Sequence, residues 1–329
     1  MFDFNKDLEG NVCPLKYDAP TMKQRECSPN CTWYNDYYGK CAIWVLMKKA
    51  EGEIIMSFND SMGTRMKEYY EAVPKTKLMR RTPVAIRVDG KSFHTFTRGF
   101  QKPFDMILMK SMQETMTYLC KNIQGCVFGY TQSDEITLIL IDYQTLTTDA
   151  WFDYEVQKLC SVSASMATMA FNKFFEANVD TYGSENIEDW YDGGTNRELS
   201  DNEKHAMQYI VAYNKSMVNG AMFDARCFNI PKEEVCNLIY WRQLDATRNS
   251  IQMVGQAYFS HKQLEGKKCN DIQDMLMEQF DINWNNYPTT CKRGTACINK
   301  DGQWVLDTEM PILKGENRDY VDQYIFVGE

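Results

Sequence analysis

The sequence predicts an α+β fold, an antiparallel sheet with helices on one face. Three observations lead there. Short apolar runs at residues 84–88, 127–130, 136–141 and 221–228 have the length and branching of buried strands. Longer stretches with helical periodicity separate the first run from the second and the third from the fourth. The first run ends in acid at Asp89, and the bend between the second and third holds Ser133-Asp134-Glu135.

Residues 1–50 differ from the rest of the chain. They place Cys13, Cys27, Cys31 and Cys41 at a C-x13-C-x3-C-x9-C spacing in a turn-rich segment. Four such thiolates can close a tetrahedral zinc site or hold an iron–sulfur cluster, and free thiols or redox disulfides are the alternatives. A segment this short has little core, so a small metal-stapled N-terminal module is expected. Residues 42–60 read as a short helix and linker. Ser61 then caps a helix with Met62, Met66 and Tyr70 on one side. A main domain is expected over residues 56–310 and a C-terminal tail over 311–329.

The strand at 84–88 lies between Pro83 and Gly90 and delivers Asp89 to its end. Gly90 lets the backbone approach a ligand, and its carbonyl is a further oxygen donor. If the strands are neighbours, Asp89 and Asp134 share one end of the sheet. Two carboxylates there repel unless a hard cation lies between them. Ser92, Phe93 and His94 follow in a loop or turn. Residues 104–122 form a helix with a stripe of Met106, Met109, Met112, Met116 and Leu119, which reads as core. Residues 150–178 form a long helix whose small residues suit close packing on the sheet. The acidic stretch 179–204 reads as a surface excursion. Pro231 opens a helix running to Tyr258. The order strand, helix, strand, strand, helix, strand is the ferredoxin-like pattern, and acids at one end of such a sheet are how a polymerase palm carries its metals.

Composition bounds the function. The chain is 44% hydrophobic and 25% charged, as soluble globular proteins are. No window approaches the ~18 apolar residues of a membrane span, which predicts no membrane partner. The start, MFDFNKDLEG, is acidic and unlike a signal peptide, so a cytoplasmic location is expected and the 12 cysteines read as thiols or metal ligands. A net charge of −9 argues against a protein coated for nucleic acid. Yet from residue 72 to 104 the bases Lys75, Lys77, Arg80, Arg81, Arg87, Lys91, Arg98 and Lys102 face only one acid, Asp89. That asymmetry suits a nucleoside triphosphate or an RNA end, and a solvated charge run is the bland alternative.

Seven blocks carry a family resemblance. They are Arg87-Val-Asp-Gly-Lys-Ser-Phe-His94, Phe100-Gln-Lys-Pro103, Tyr130-Thr-Gln-Ser-Asp-Glu135, Phe223-Asp-Ala-Arg226, Trp241-Arg-Gln-Leu-Asp245, Leu264-Glu-Gly266 and Ile282-Asn-Trp-Asn-Asn286 with Lys292-Arg-Gly294. In that order they resemble the tRNA-His guanylyltransferase family and its 3′-to-5′ polymerase relatives, over about residues 62–304. The resemblance implies a palm-like nucleotidyltransferase that binds two Mg²⁺ through Asp89, the Gly90 carbonyl and Asp134, with Glu135 beside them as a third catalytic acid. It implies ATP, GTP or other nucleotides held by Arg87, Asp89, Gly90, Lys91, Ser92, Phe93, His94, Lys102, Ser133, Asp134 and Asn249, with Lys102 and Arg87 as triphosphate clamps. The RNA partner would be a tRNA 5′ end and the assembly a homo-tetramer. Where the family commonly carries His-x-Asn-Asn, this chain has Thr247-Arg-Asn-Ser250, keeping only Asn249. That departure fits the repair-type relatives that add templated nucleotides to truncated tRNA. Arg242 and Asp245 read equally as a buried structural pair or as substrate contacts. A small-molecule cyclase or dinucleotide synthase is the alternative chemistry. A binding protein using the N-terminal module, with the palm as scaffold, is the alternative class.

Overall fold

The structure, a computed structural model, describes residues 61–188, 190 and 198–327, together with the backbone of four short strands between residues 12 and 41. Contacts divide the chain into two units, residues 1–75 and 76–329. In the first unit Val12–Asp18 pairs with Lys23–Glu26 and Tyr34–Asn35 with Lys40–Cys41, both antiparallel. A helix over Ser61–Arg65 continues as a π-helical turn over Met66–Glu71. Cys27 and Cys31 lie outside the described residues, as do the side chains of Cys13 and Cys41 and the helix and linker expected at 42–60.

The second unit is built on six antiparallel strands. They are β1 (Val84–Gly90), β2 (Cys126–Gln132), β3 (Glu135–Leu140), β4 (Phe223–Asn229), β5 (Thr295–Lys300) and β6 (Gln303–Asp307). Their order across the sheet is β6-β5-β2-β3-β1-β4, so β1 is hydrogen-bonded on both sides. The longer helices are α1 (Met106–Asn122), α2 (Val156–Asn186), α3 (Asp201–Asn219), α4 (Lys232–Tyr258), α5 (Cys269–Phe280) and α6 (Asp319–Ile325). Strands β1 to β4 with α1 and α2 complete a strand-helix-strand-strand-helix-strand unit.

Helices cover both faces of the sheet, not one as expected. Alternate residues explain why. Val84, Ile86 and Val88 join Ile136, Leu138 and Leu140 in a core under α1 and α2. Ala85, Ile139, Phe128 and Tyr130 point the other way, into a second core with Val235 and Ile239 of α4 and Val321 and Ile325 of α6. A strand that is apolar on both sides needs a cover on both. The expected tail at 311–329 is part of that cover. Val321 and Ile325 are fully buried, and Tyr143 donates to the Ile325 carbonyl at 3.0 Å.

Two further differences concern helices. The excursion expected at 179–204 is largely helical. α2 runs through Gly183 to Asn186, and α3 starts at Ser200 with a reciprocal capping box to Glu203. Gly183 sits mid-helix because the Trp190 ring presses on it; an added Cβ would lie 2.4 Å from that ring. The small residues of α2 act as expected, since Ser163 and Ala167 are fully buried. The hairpin β5–β6 was not among the expected strands, although Asp301-Gly302 between two apolar runs signals one; it turns at those two residues, both at positive φ.

The loop after β1 is fixed by aromatic packing. Phe93 contacts Phe96 at 5.0 Å between ring centroids and Phe223 at 5.2 Å, and Phe100 contacts Tyr213 of α3 at 4.8 Å. Asp105 then caps α1. Its carboxylate accepts from the Leu108 and Gln101 amides at 2.9 and 3.0 Å and from the Tyr213 hydroxyl at 2.7 Å. Three hydrogen bonds on a buried acid lock the segment 93–105 against α1 and α3.

Candidate active site

The sheet register assembles the acids. Asp89 lies directly opposite Glu135 on β3 and Asp224 on β4, so the three carboxylates share one rung and one face. Asp134 occupies the tight turn between β2 and β3, where Ser133 takes φ 52°. The Gly90 amide donates to the Asp134 carbonyl at 3.0 Å, which ties the turn to the end of β1. Ser133 Oγ donates to Asp134 Oδ1 at 3.0 Å. Burial pushes the Asp134 carboxyl above its usual range, the Ser133 hydrogen bond opposes this, and the charge of Asp89 adds to it.

Glu135 belongs to a different set of contacts from Asp134. Its Oε1 accepts from Arg242 Nε of α4 at 2.7 Å, and Arg87 Nε stands 3.7 Å from its Oε2. Arg242 also bridges to Asp245 at 3.0 Å. Burial raises the Glu135 carboxyl, and the two arginines pull it back down. Arg242 and Asp245 therefore stand in the buried pair that was one of their two expected roles. Arg87 lies with its guanidinium 5.6 Å from the Trp241 ring centroid.

A cleft of about 540 Å³ opens beside the acids. Gly90, Ser92, Phe93, His94, Lys102, Ser133 and Asp134 line it, as the sequence expected of a nucleotide site, together with Asp105, Met253 and Gln256. Arg87, Asp89 and Lys91, also expected there, do not line it. Asn249 lines an adjoining hollow that shares Ser133, Asp105, Leu108 and Met253 with it. Lys102 is in no ion pair among the described residues. The basic run of the sequence thus splits by function. Lys77 and Arg80 pair with Asp153 and Asp142, and Arg87 faces Glu135, whereas Lys102 opens on the cleft.

Several lining residues escaped the sequence reading. Met253 and Gln256 follow the expected Asn249 along one side of α4 at helical spacing, a signal that ordinary core packing also gives. Asp224 sat in a quoted motif without a role, and only the strand order brings it beside Asp89.

Gly90 has a steric reason. An added Cβ would lie 2.3 Å from the Phe93 ring, which is itself held by Phe96 and Phe223. Gly90→Ala is expected to cost about 1–3 kcal/mol of stability, as overpacking does. Thermal melting of the variant checks this, and an unchanged midpoint would show that the ring gives way freely.

The donor set fits a hard divalent cation. Asp89 and Asp134 offer carboxylate oxygens that repel each other, while Arg242 and Arg87 face Glu135 and Arg226 pairs with Asp224. Their mutual repulsion is what a dication relieves.

Comparison with known proteins places the chain in a family. The family profile of tRNA-His guanylyltransferase (Thg1) matches residues 63–231, just over half of the chain. The chain belongs to the Thg1 family. It is a Thg1-family nucleotidyltransferase by that membership. A bacterial Thg1-like protein solved in complex with ATP is 40% identical with a TM-score of 0.66, over 80% of this chain and 99% of that one. A bacterial Thg1-like protein in complex with GTP is 36% identical with a TM-score of 0.61, over 81% and 100%. A protein of Acanthamoeba polyphaga mimivirus is 29% identical over 74% of this chain and 78% of its own. The tRNA(His) guanylyltransferase of Schizosaccharomyces pombe is 24% identical over 69% and 78%. Among the described residues, no helix is long and apolar enough to cross a membrane.

Proposed function

We propose that this Thg1-family chain adds nucleotides to the 5′ end of tRNA in the 3′-to-5′ direction, on a palm-type ferredoxin-like sheet. The observation that carries the reading is the cleft that joins Lys102 and the 90–94 turn to the acid Asp134. ATP and GTP complexes of two relatives support a nucleotide there. The 5′-monophosphate is first activated by attack on the α-phosphorus of ATP, with pyrophosphate leaving. The 3′-hydroxyl of an incoming nucleotide then attacks the activated 5′ phosphorus, and AMP leaves.

Asp89 and Asp134, with the Gly90 backbone, would hold Mg²⁺. The bound ions supply Lewis-acid charge that acidifies an attacking hydroxyl and neutralises a leaving phosphate. The protein's own part is placement. Lys102 offers an ammonium to triphosphate oxygens. The turn at 90–94 forms one wall, set by the aromatic packing of Phe93. Glu135 acts through Arg242 by holding β3 against α4, so that Asp134 stays at the rim. A triphosphate clamp falls to Lys102, since Arg87 is turned to Glu135.

We favour templated repair over a single guanylate addition. In place of the family's His-x-Asn-Asn run, Ser250 is buried and accepts from Trp284 Nε1 at 3.2 Å, while Asn249 reaches back to Asp245. The test is incubation with ATP, labelled nucleotides and 5′-monophosphorylated tRNAs, intact and 5′-truncated. Extension of the truncated tRNA by template-matched nucleotides is the expected result. A soluble cyclic or dinucleotide product formed without RNA would overturn it.

A further inference from the structure

A second cleft, of about 310 Å³, lies on the other side of Ser92 from the nucleotide cleft. Its walls are the turn 91–98 and the C-terminal end of α3. Lys91, Arg98 and Lys215 line it, with Thr95 and Asn219, and Ser92 lines both clefts. All three cations are exposed, none is in an ion pair among the described residues, and no acid lines the cleft. The walls are held in place. Ser216 Oγ donates to the Phe96 carbonyl at 2.5 Å, joining α3 to the turn, and the Lys91 amide donates to the Met222 carbonyl at 2.8 Å. In a chain of net charge −9, three like charges gathered without a counter-ion focus a positive field on one spot.

We propose that this cleft binds phosphate esters of the RNA strand whose 5′ end is extended. The inference rests on the proposed function, which puts a nucleotide triphosphate in the first cleft against Lys102. The other reactant is a polyanion too, and it has to approach the same acids from outside that cleft. Lys91, Arg98 and Lys215 offer non-bridging phosphate oxygens an unpaired cationic seat one residue away. Ser92 and Thr95 hydroxyls and the Asn219 amide add neutral donors. Contacts of this kind carry affinity and register without reading sequence.

The double variant Arg98→Gln/Lys215→Gln leaves the nucleotide cleft untouched. Binding of a 5′-monophosphorylated tRNA transcript to the full chain is measured across a KCl series, beside binding of ATP and of pyrophosphate. We expect RNA affinity to fall about tenfold, and the slope of log K against log salt to shrink by about 1.5 in magnitude, as two lost phosphate contacts require. ATP and pyrophosphate binding should stay unchanged. The charge-keeping variant Arg98→Lys/Lys215→Arg should restore RNA affinity at an equal melting temperature. Unchanged RNA affinity in the Gln variant overturns this inference alone and leaves the proposed function standing. A parallel loss of ATP or pyrophosphate binding also overturns it, by assigning the cleft to nucleotide phosphates. If the native chain binds no tRNA, the RNA reading of the active site falls and this inference falls with it.

Discussion

Asp134→Asn is expected to reduce nucleotide incorporation by about a thousandfold or more, the scale on which a charge that stabilises a transition state is felt. The same variant is expected to fold at least as well as the native chain. Burial already penalises the Asp134 carboxylate, and Asp89 adds like charge. The amide keeps the shape of the side chain and an acceptor oxygen toward Ser133 while removing both penalties. Loss of activity with unchanged or higher stability marks a residue kept for chemistry. Mg²⁺ supplies a second readout that does not depend on turnover. It should raise the melting temperature of the native chain, since a ligand that binds only the folded state stabilises it. It should do so far less for Asp89→Asn/Asp134→Asn. A variant that keeps native incorporation, or a double variant with the full Mg²⁺ shift, would remove the metal assignment.

Arg242→Met is expected to produce the opposite pattern, a large loss of stability. It strands Glu135, whose side chain is 8% exposed, without its 2.7 Å partner. Removing one member of a buried ion pair costs about 3–5 kcal/mol. For a domain of this size that is roughly a 10 °C drop in melting temperature. Arg87 Nε is 3.7 Å from the other carboxylate oxygen and has no hydrogen-bond partner, so it relieves Glu135 only if its side chain moves. Glu135→Leu/Arg242→Met should recover most of the loss, because two apolar groups leave no uncompensated charge. If Arg242→Met melts within about a degree of the native chain, Arg87 already takes the charge and the pair is not a structural tie.

The sequence held more of the candidate site than of the fold around it. Asp89 and Asp134 were legible because strand-ending acids next to Gly90 and Ser133 break the apolar pattern abruptly. The turn at 90–94 was legible from Gly90 and the basic residues after it. What Glu135 does was not, because its contacts depend on Arg242, more than a hundred residues away in the chain. The second core was passed over although its signal was present. Ala85 and Ile139 lie in nearly continuous apolar runs of β1 and β3, which is how strands covered on both faces read. α3 was missed because its start, Ser200-Asp-Asn-Glu203, lies in a strongly acidic stretch that also reads as loop. Only the reciprocal cap between Ser200 and Glu203 distinguishes the two. The charge run from residue 72 to 104 was visible as a run. Which of its members were already paired with Asp142 and Asp153 needed coordinates.

The central place of β1 has a consequence for how such a chain can vary. Its side chains alternate between two closed cores, with Val88 in one and Asp89 on the opposite face. A slip of one residue would bring Val88 to the rim and drive Asp89 in among the phenylalanines. One inserted or deleted residue within 84–90 therefore exchanges the rim carboxylate for a hydrocarbon.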